Sequence, residues 1–403
     1  RIRLDAATFL QEDAGPAATD FRRGSFNNSL ENDRARDLKD GVTVRSARVM
    51  VDGVILRRLE YRAEYDLGDP GLDDGVRLSA AWLQYRLTPT WRGRVGAFAV
   101  PTGLEDAAGA GGQLFLERPS SAEVARSVVA GNGRQAVSLQ GAGEAWTLSL
   151  AATGDRIDGA TTTGQQALLM RATRRIERPG DLVLHLGISG AAVVSPGRSR
   201  TGGAPLRLRD RPEIRVDGAR LVDTGDIDVE GYRSVGLEAG LRRGAGIVEA
   251  EYFGMRMART GGAAEAEFSG WYIQGGWILT GESRPYAAAT GSFDRPRPVR
   301  TFAPRRGDWG ALELALRISR LDLDWGGKSA APIHGGVQTI GSVGLNWYPD
   351  DPVLVRLAYS AVRADRRSPG GDAFAGPYPA TPPKGAQVGQ ALQTLSLMVQ
   401  IAF

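Results

Sequence analysis

The sequence predicts an all-β fold, a single 16-stranded antiparallel transmembrane β-barrel over residues 1–403 with short periplasmic turns and long external loops. Three observations carry that expectation. Apolar residues recur at every second position, which is strand spacing and not helical spacing. The stretches that do so are close to the ~9 to 11 residues that cross a bilayer at a tilt. Short and long connections alternate, as they do when turns gather at one rim of a barrel and loops at the other.

The period is plainest in "RRLEYRAEYDL", residues 57–67, where Leu59, Tyr61, Ala63, Tyr65 and Leu67 oppose Arg58, Glu60, Arg62, Glu64 and Asp66. In "LELALRIS", Leu312, Leu314, Leu316 and Ile318 oppose Glu313, Ala315, Arg317 and Ser319. The chain stops on "LSLMVQIAF", with Leu395, Leu397, Val399, Ile401 and Phe403 on one face. Strands are expected near 2–12, 43–53, 54–67, 76–87, 91–99, 134–142, 145–153 and 166–176. Eight more follow near 182–190, 233–242, 246–258, 267–280, 309–322, 336–348, 353–363 and 392–403. The second hairpin is expected to turn at Asp52-Gly53. Ser79 shares parity with Leu83 and Tyr85, which points to a bulge in the fourth strand or to a later start.

Residues 281–308 do not follow the alternation: the segment is long but falls at the short-turn rim. A soluble β-sandwich also alternates, and the pattern alone does not say which face meets water. Mean hydropathy, −0.24, is equally silent, because a barrel strand is apolar only at every second residue. No stretch reaches the ~18 consecutive apolar residues of a membrane helix.

There is no cysteine, so thiolate metal sites and disulfides are excluded. The net charge is +4, and only Lys39, Lys328 and Lys384 are lysines, so nearly all positive charge is arginine. Arginine keeps its charge at any working pH and offers a planar fork to phosphate or carboxylate. A strand-like "RIRLD" begins at Arg1, which reads as a processed or trimmed form without its export signal. Basic stretches at 198–215 and 295–306 sit between strands, where they would focus anions at a channel mouth, meet lipid phosphates on the external side, or simply be solvated. Charge dispersed over separate loops does not suit nucleic acid.

Catalysis has little support. His185 and Ser189 share a strand face four residues apart, too far for direct neighbours, and His334 lies in a loop. "AAGAGG" (Ala107–Gly112) lacks the lysine and the strand-to-helix setting of a phosphate-cradling loop, and its glycines instead suit a tight bend. Asp322 and Asp324 are too few for a convincing calcium site. No catalytic residue, metal or cofactor is expected.

Several motifs in collinear order resemble the phosphate-selective porin family of O and P type: "VRSARVMVDG", "GAFAVPTGLEDA" leading to "LFLERP", "GWYIQGGWILTGESRPY", "WGALELALRISRLDL", "GLNWYPDDPVLVRLAY" and the terminal Phe403. The resemblance implies a homotrimeric porin in the outer membrane of a Gram-negative bacterium, passing small inorganic anions and bounded by lipid and lipopolysaccharide. It also implies that the third long loop, here 100–133, folds into the barrel as a constriction. Phe403 would be read by the barrel insertion machinery. The family's arginine pair after the first loop corresponds to Arg45 and Ser46, so one member is absent, and few lysines remain for a lysine-lined path. Both departures weaken phosphate specificity more than anion preference.

Strand parity places Arg48, Arg58, Arg62, Arg92, Arg94, Arg171, Arg317 and Arg356 inward. Arg118, Arg126 and Arg134 come from the loop and its exit. Inward Glu60, Glu64, Glu249, Glu251 and Glu313 leave two readings open: a cationic path, or a cross-strand lattice of ion pairs that only holds the wall. The expected function is a passive, anion-preferring channel. A general solute porin and a plugged barrel serving as an envelope scaffold are the alternatives.

Overall fold

The computed structural model describes residues 1–11, 38–68, 78–157, 164–198, 205–327, 329, 331–367 and 387–402. Phe403, the expected assembly signal, lies outside them. The chain begins with β1 (Ile2–Leu10), β2 (Gly41–Ile55), β3 (Leu59–Asp66), β4 (Leu78–Arg86) and β5 (Trp91–Ala97). Helices α1 (Leu104–Gly112) and α2 (Ser120–Val129) precede β6 (Arg134–Ala142), β7 (Trp146–Arg156), β8 (Gln166–Arg178) and β9 (Leu182–Ser195). Three two-residue strands follow, β10 (Pro205–Leu206), β11 (Arg209–Asp210) and β12 (Val222–Asp223). Then come β13 (Ile227–Arg243), β14 (Gly246–Arg259), β15 (Ala266–Ile278), and a small hairpin of β16 (Tyr286–Ala287) and β17 (Ser292–Phe293). The chain closes with β18 (Ala311–Trp325), β19 (Ile333–Asp350), β20 (Val353–Arg367) and β21 (Gln387–Ile401).

Sixteen of these strands form one antiparallel barrel. Each pairs with its sequence neighbour in the wall, and β1 pairs with β21 from Ile2↔Ile401 to Leu10↔Gln393. No unpaired edge remains in the wall, which is the condition for a sheet to cross lipid.

Burial settles which face is which. On β18, Leu314, Leu316 and Ile318 are 41–57% exposed while Glu313, Arg317 and Ser319 are buried. A soluble sandwich would do the reverse, since charge is drawn to water and hydrocarbon away from it. The apolar face therefore meets lipid, and the charged face lines the interior.

Two local features differ from the sequence expectation. The second hairpin turns at Leu56–Arg57, both at positive φ (51° and 62°), and not at Asp52-Gly53, which pair within the ladder. Arg58 consequently lies in the exposed turn and not on the lumen face. The fourth strand does carry the bulge: register shifts between Glu64↔Ala80 and Tyr65↔Leu78, and the extra residue Ser79 donates its hydroxyl to Glu64 at 2.6 Å. A second bulge falls where Arg3 pairs Ser46 but Leu4 pairs Val44, so Arg45 is the extra residue. Both Arg45 and Ser46 then point inward, an arrangement strict parity would forbid.

Segments from both rims enter the interior. Residues 98–133, with α1 and α2, come from the long-loop rim, as does the segment carrying β11 and β12. Residues 284–294, with β16 and β17, rise from the short-turn rim and reach α1, where a Cβ on Gly112 would stand 2.8 Å from the Phe293 carbonyl oxygen.

Candidate functional site

The inserted loop is seated by complementary charge. Glu251 on β14 accepts the N–H groups of Leu104 (2.6 Å) and Glu105 (3.0 Å), so a wall carboxylate caps the positive end of α1. Tyr272 donates its hydroxyl to the same carboxylate at 2.6 Å. The approach requires glycine at 103, because a Cβ there would lie 2.2 Å from Glu251 Oε1. Gly109 takes φ 64° and kinks the helix, so the glycine-rich stretch is helical except at that one residue.

Three arginines hold inserted backbone and do not line open space. Arg356 donates to the carbonyls of Ala110, Gly111, Gln113 and Phe115. Arg317 donates to the Glu117 carbonyl at 2.9 Å, pairs with Glu105 and Glu213, and stacks 4.5 Å over the Phe115 ring. Arg171 pairs with Glu238 at 2.7 Å and donates to the carbonyls of Thr290 and Gly291 on the hairpin from the opposite rim. His185 is fully buried beside it, bonded to Tyr286 (2.8 Å) and Glu238 (3.1 Å). It is part of this contact.

Between the loop and the β1–β3 wall lies a cavity of about 480 Å³ lined, among the described residues, by twelve arginines, five carboxylates and no lysine. The wall supplies Arg3, Arg45 and Arg48; the loop supplies Arg118 and Arg126; Arg134 stands where the chain leaves the loop. The β11–β12 segment adds Arg209, Arg211, Arg215 and Arg220. Glu117 is the hub, accepting from Arg45 (2.8 Å), Arg3 (2.9 Å) and Arg215 (3.2 Å). Those three guanidiniums hold its carboxyl well below the usual range despite its burial. Glu123 is held down in the same way, by Arg126 first, then Arg215 and Arg118. Asp210 and Arg211, on the inserted β11–β12 segment, show the opposite stress. Burial and the nearby Glu123 push Asp210 up to about 7. Burial and the crowding of Arg220, Arg215 and Arg45 hold Arg211 below its ordinary value.

Of the twelve arginines singled out from the sequence, Arg45, Arg48, Arg118, Arg126 and Arg134 line this cavity. Arg134 is fixed by the carbonyls of Ala130, Val128 and Gly154. Arg48 also belongs to the wall lattice, through Glu64 (3.0 Å) and Asp66 (2.8 Å). Arg62 and Arg94 stand inward beside Trp82, at 5.6 and 4.4 Å from its ring, away from the cavity. Arg92, with Arg94's parity, pairs across to Arg86 and Gln140 near the short-turn rim. Arg3, not singled out from the sequence, was recoverable by parity in "RIRLD", where it opposes Ile2 and Leu4. Arg209, Arg211, Arg215 and Arg220 were not, because nothing in a basic loop says that it folds inward.

A closed barrel with hydrocarbon outside, charge inside and inserted segments narrowing the interior is the architecture of an outer-membrane porin. The chain belongs to the phosphate-selective porin O and P family, whose sequence model matches residues 19–375. An uncharacterized protein of Caulobacter vibrioides is 28% identical over 334 residues, covering 80% of this chain and 63% of that one. Porin O of Pseudomonas aeruginosa is 26% identical over 143 residues, covering 32% of this chain and 30% of its own. The chain thus spans less than two thirds of the length of these curated relatives. Among solved structures, outer-membrane expressed OmpT of Vibrio cholerae superimposes with a TM-score of 0.55 at 11% identity, covering 99% of this chain and 95% of that one. An anion-selective porin from Comamonas acidovorans gives 0.54 at 11% identity, covering 100% and 99%. At those identities the likeness is one of fold.

Proposed function

We propose that the chain forms a passive, anion-preferring channel with phosphate-class ions among its solutes. The observation that carries this is the charge of the cavity, twelve arginines against five carboxylates among the described residues in about 480 Å³. Neighbouring guanidiniums repel one another, and an anion passing between them relieves that repulsion while regaining part of its lost hydration. Most guanidiniums here are already engaged by carboxylates or carbonyls, which disfavours one tight, dedicated site. Several weak contacts in series suit conduction, because the ion must also leave. Family membership supports the phosphate class, and the fold shared with the anion-selective porin of Comamonas acidovorans is consistent with anion preference. Assembly as a homotrimer is part of the same reading, supported by the trimer form of Vibrio cholerae OmpT. Residues 100–133 act as the constriction.

Block of the chloride current tests the phosphate class. Added phosphate is expected to reduce the current of the reconstituted channel, and pyrophosphate to do so at lower concentration because it bridges more guanidiniums. No block by either ion would count against phosphate. The three inserted segments also suit a plugged scaffold; that alternative predicts no current at all.

A further inference from the structure

The long connection between β15 and β18 divides into two halves. Its first half enters the barrel, where Arg284, Ser292 and Phe293 are buried while Pro285, Ala289 and Thr290 stay exposed. Its second half stays outside. Phe302 packs edge-on against Trp347, with ring centroids 5.3 Å apart, and Trp347 Nε1 donates to the Trp309 carbonyl at 2.6 Å. Trp347 shares strand parity with Val343 and Leu345, both exposed on the lipid-facing wall. Residues 302–309 are therefore folded against the outer surface of the barrel at the periplasmic rim. Phe302 and Trp309 are themselves exposed there, as side chains of an interfacial aromatic belt are.

This stretch is also strongly basic. Arg297, Arg300, Arg305 and Arg306 are all exposed. Asp308 stands 3.7 Å from Arg300 and 3.5 Å from Arg306, too far for good charge-assisted hydrogen bonds, and Glu282 accepts the Val299 N–H at 3.1 Å. Exposed guanidiniums beside interfacial aromatics are the arrangement that recognises anionic headgroups, the rings fixing depth and the cations meeting phosphate.

We propose that residues 297–309 form a docking site for an anionic phospholipid headgroup of the periplasmic leaflet. Arg297, Arg300, Arg305 and Arg306 engage the phosphate, while Phe302 and Trp309 lie among the glycerol and upper acyl carbons. By anchoring the outer half of the connection, the lipid would also steady the inner half within the lumen.

Native mass spectrometry of the full chain released from detergent tests this, with phosphatidylglycerol, phosphatidylcholine of the same acyl chains, and inorganic phosphate as probes. The wild-type chain is expected to retain phosphatidylglycerol over phosphatidylcholine by at least about tenfold. Replacing all four arginines with glutamine should abolish that preference, and replacing them with lysine should keep most of it. Equal retention of the two lipids by the wild type would overturn the proposal, and so would an unchanged preference in the glutamine variant. Displacement of the lipid by millimolar inorganic phosphate would assign the patch to soluble anions and overturn it too. The wild-type comparison decides the matter even if a variant fails to fold.

Discussion

Arg284→Ala should open the barrel from below without unfolding it. Arg284 is almost wholly buried, and its fork meets Glu313 at 2.6 and 2.7 Å. Its remaining nitrogen donates to the carbonyls of Gly112 at the end of α1 (2.7 Å) and Asp294 at the end of the hairpin (3.2 Å). One side chain thus joins the wall, the loop from above and the hairpin from below. Removing one partner of a buried ion pair costs about 3–5 kcal/mol, because the other charge is left behind. Tyr348 (2.8 Å) and Asn346 (3.0 Å) still donate to Glu313, which favours the lower part of that range. A loss of about 3 kcal/mol shifts a local equilibrium by about two orders of magnitude. Sixteen paired strands absorb such a loss, whereas the hairpin is then held chiefly by Arg171 through Thr290 and Gly291, by the bond between His185 and Tyr286, and by the buried Phe293 ring. The expected result is loss of hydrogen-exchange protection across 285–294 and a larger single-channel conductance, with the global melting of the barrel little changed. Arg284→Leu combined with Glu313→Leu should recover much of the protection, since no charge is then left buried. Unchanged protection and conductance in Arg284→Ala would refute the reasoning.

Arg45→Gln should lower the anion-to-cation permeability ratio about fivefold at low salt, the worth of roughly 1 kcal/mol for two charges ~4 Å apart in water. The loop should stay docked through the bonds that Arg3 and Arg215 make to Glu117. Reversal potentials at 0.1 M and 1 M salt check both magnitude and origin, because the effect should fade as the Debye length shrinks from ~10 to ~3 Å. With its carboxyl raised to about 7, Asp210 is neutral below that pH and negative above it. Anion preference should therefore fall as pH rises from about 6 to about 8, and Asp210→Asn should flatten the profile. Gly103→Ala forces a methyl to within 2.2 Å of Glu251 Oε1, which should dislodge the start of α1. Overpacking of this kind costs about 1–3 kcal/mol, and protease nicking within 100–133 would report it.

The wall was legible because its rule is local: alternation of apolar and charged residues needs no knowledge of distant contacts. What interrupted the rule was harder to see. Asp52-Gly53 is a stronger turn signal than Leu56-Arg57, yet the chain turns at the latter, where two non-glycine residues take left-handed backbone. The bulge that turns Arg45 inward beside Ser46 leaves no mark in the residue types. Parity placed Arg171, Arg317 and Arg356 on the lumen side, where they are, but could not say that inserted backbone would cover them. That depends on contacts such as Arg356 with Phe115, 241 residues apart. The anomalous length of 281–308 was visible, while its division between lumen and outer rim followed from Arg284 on one side and Trp347 on the other.

The sign of the reversal potential across a planar bilayer under a potassium chloride gradient tests the central claim most directly. An arginine-rich path predicts a potential drawn toward the chloride equilibrium value, with the deviation shrinking as salt rises. A potential drawn toward the potassium value would contradict it.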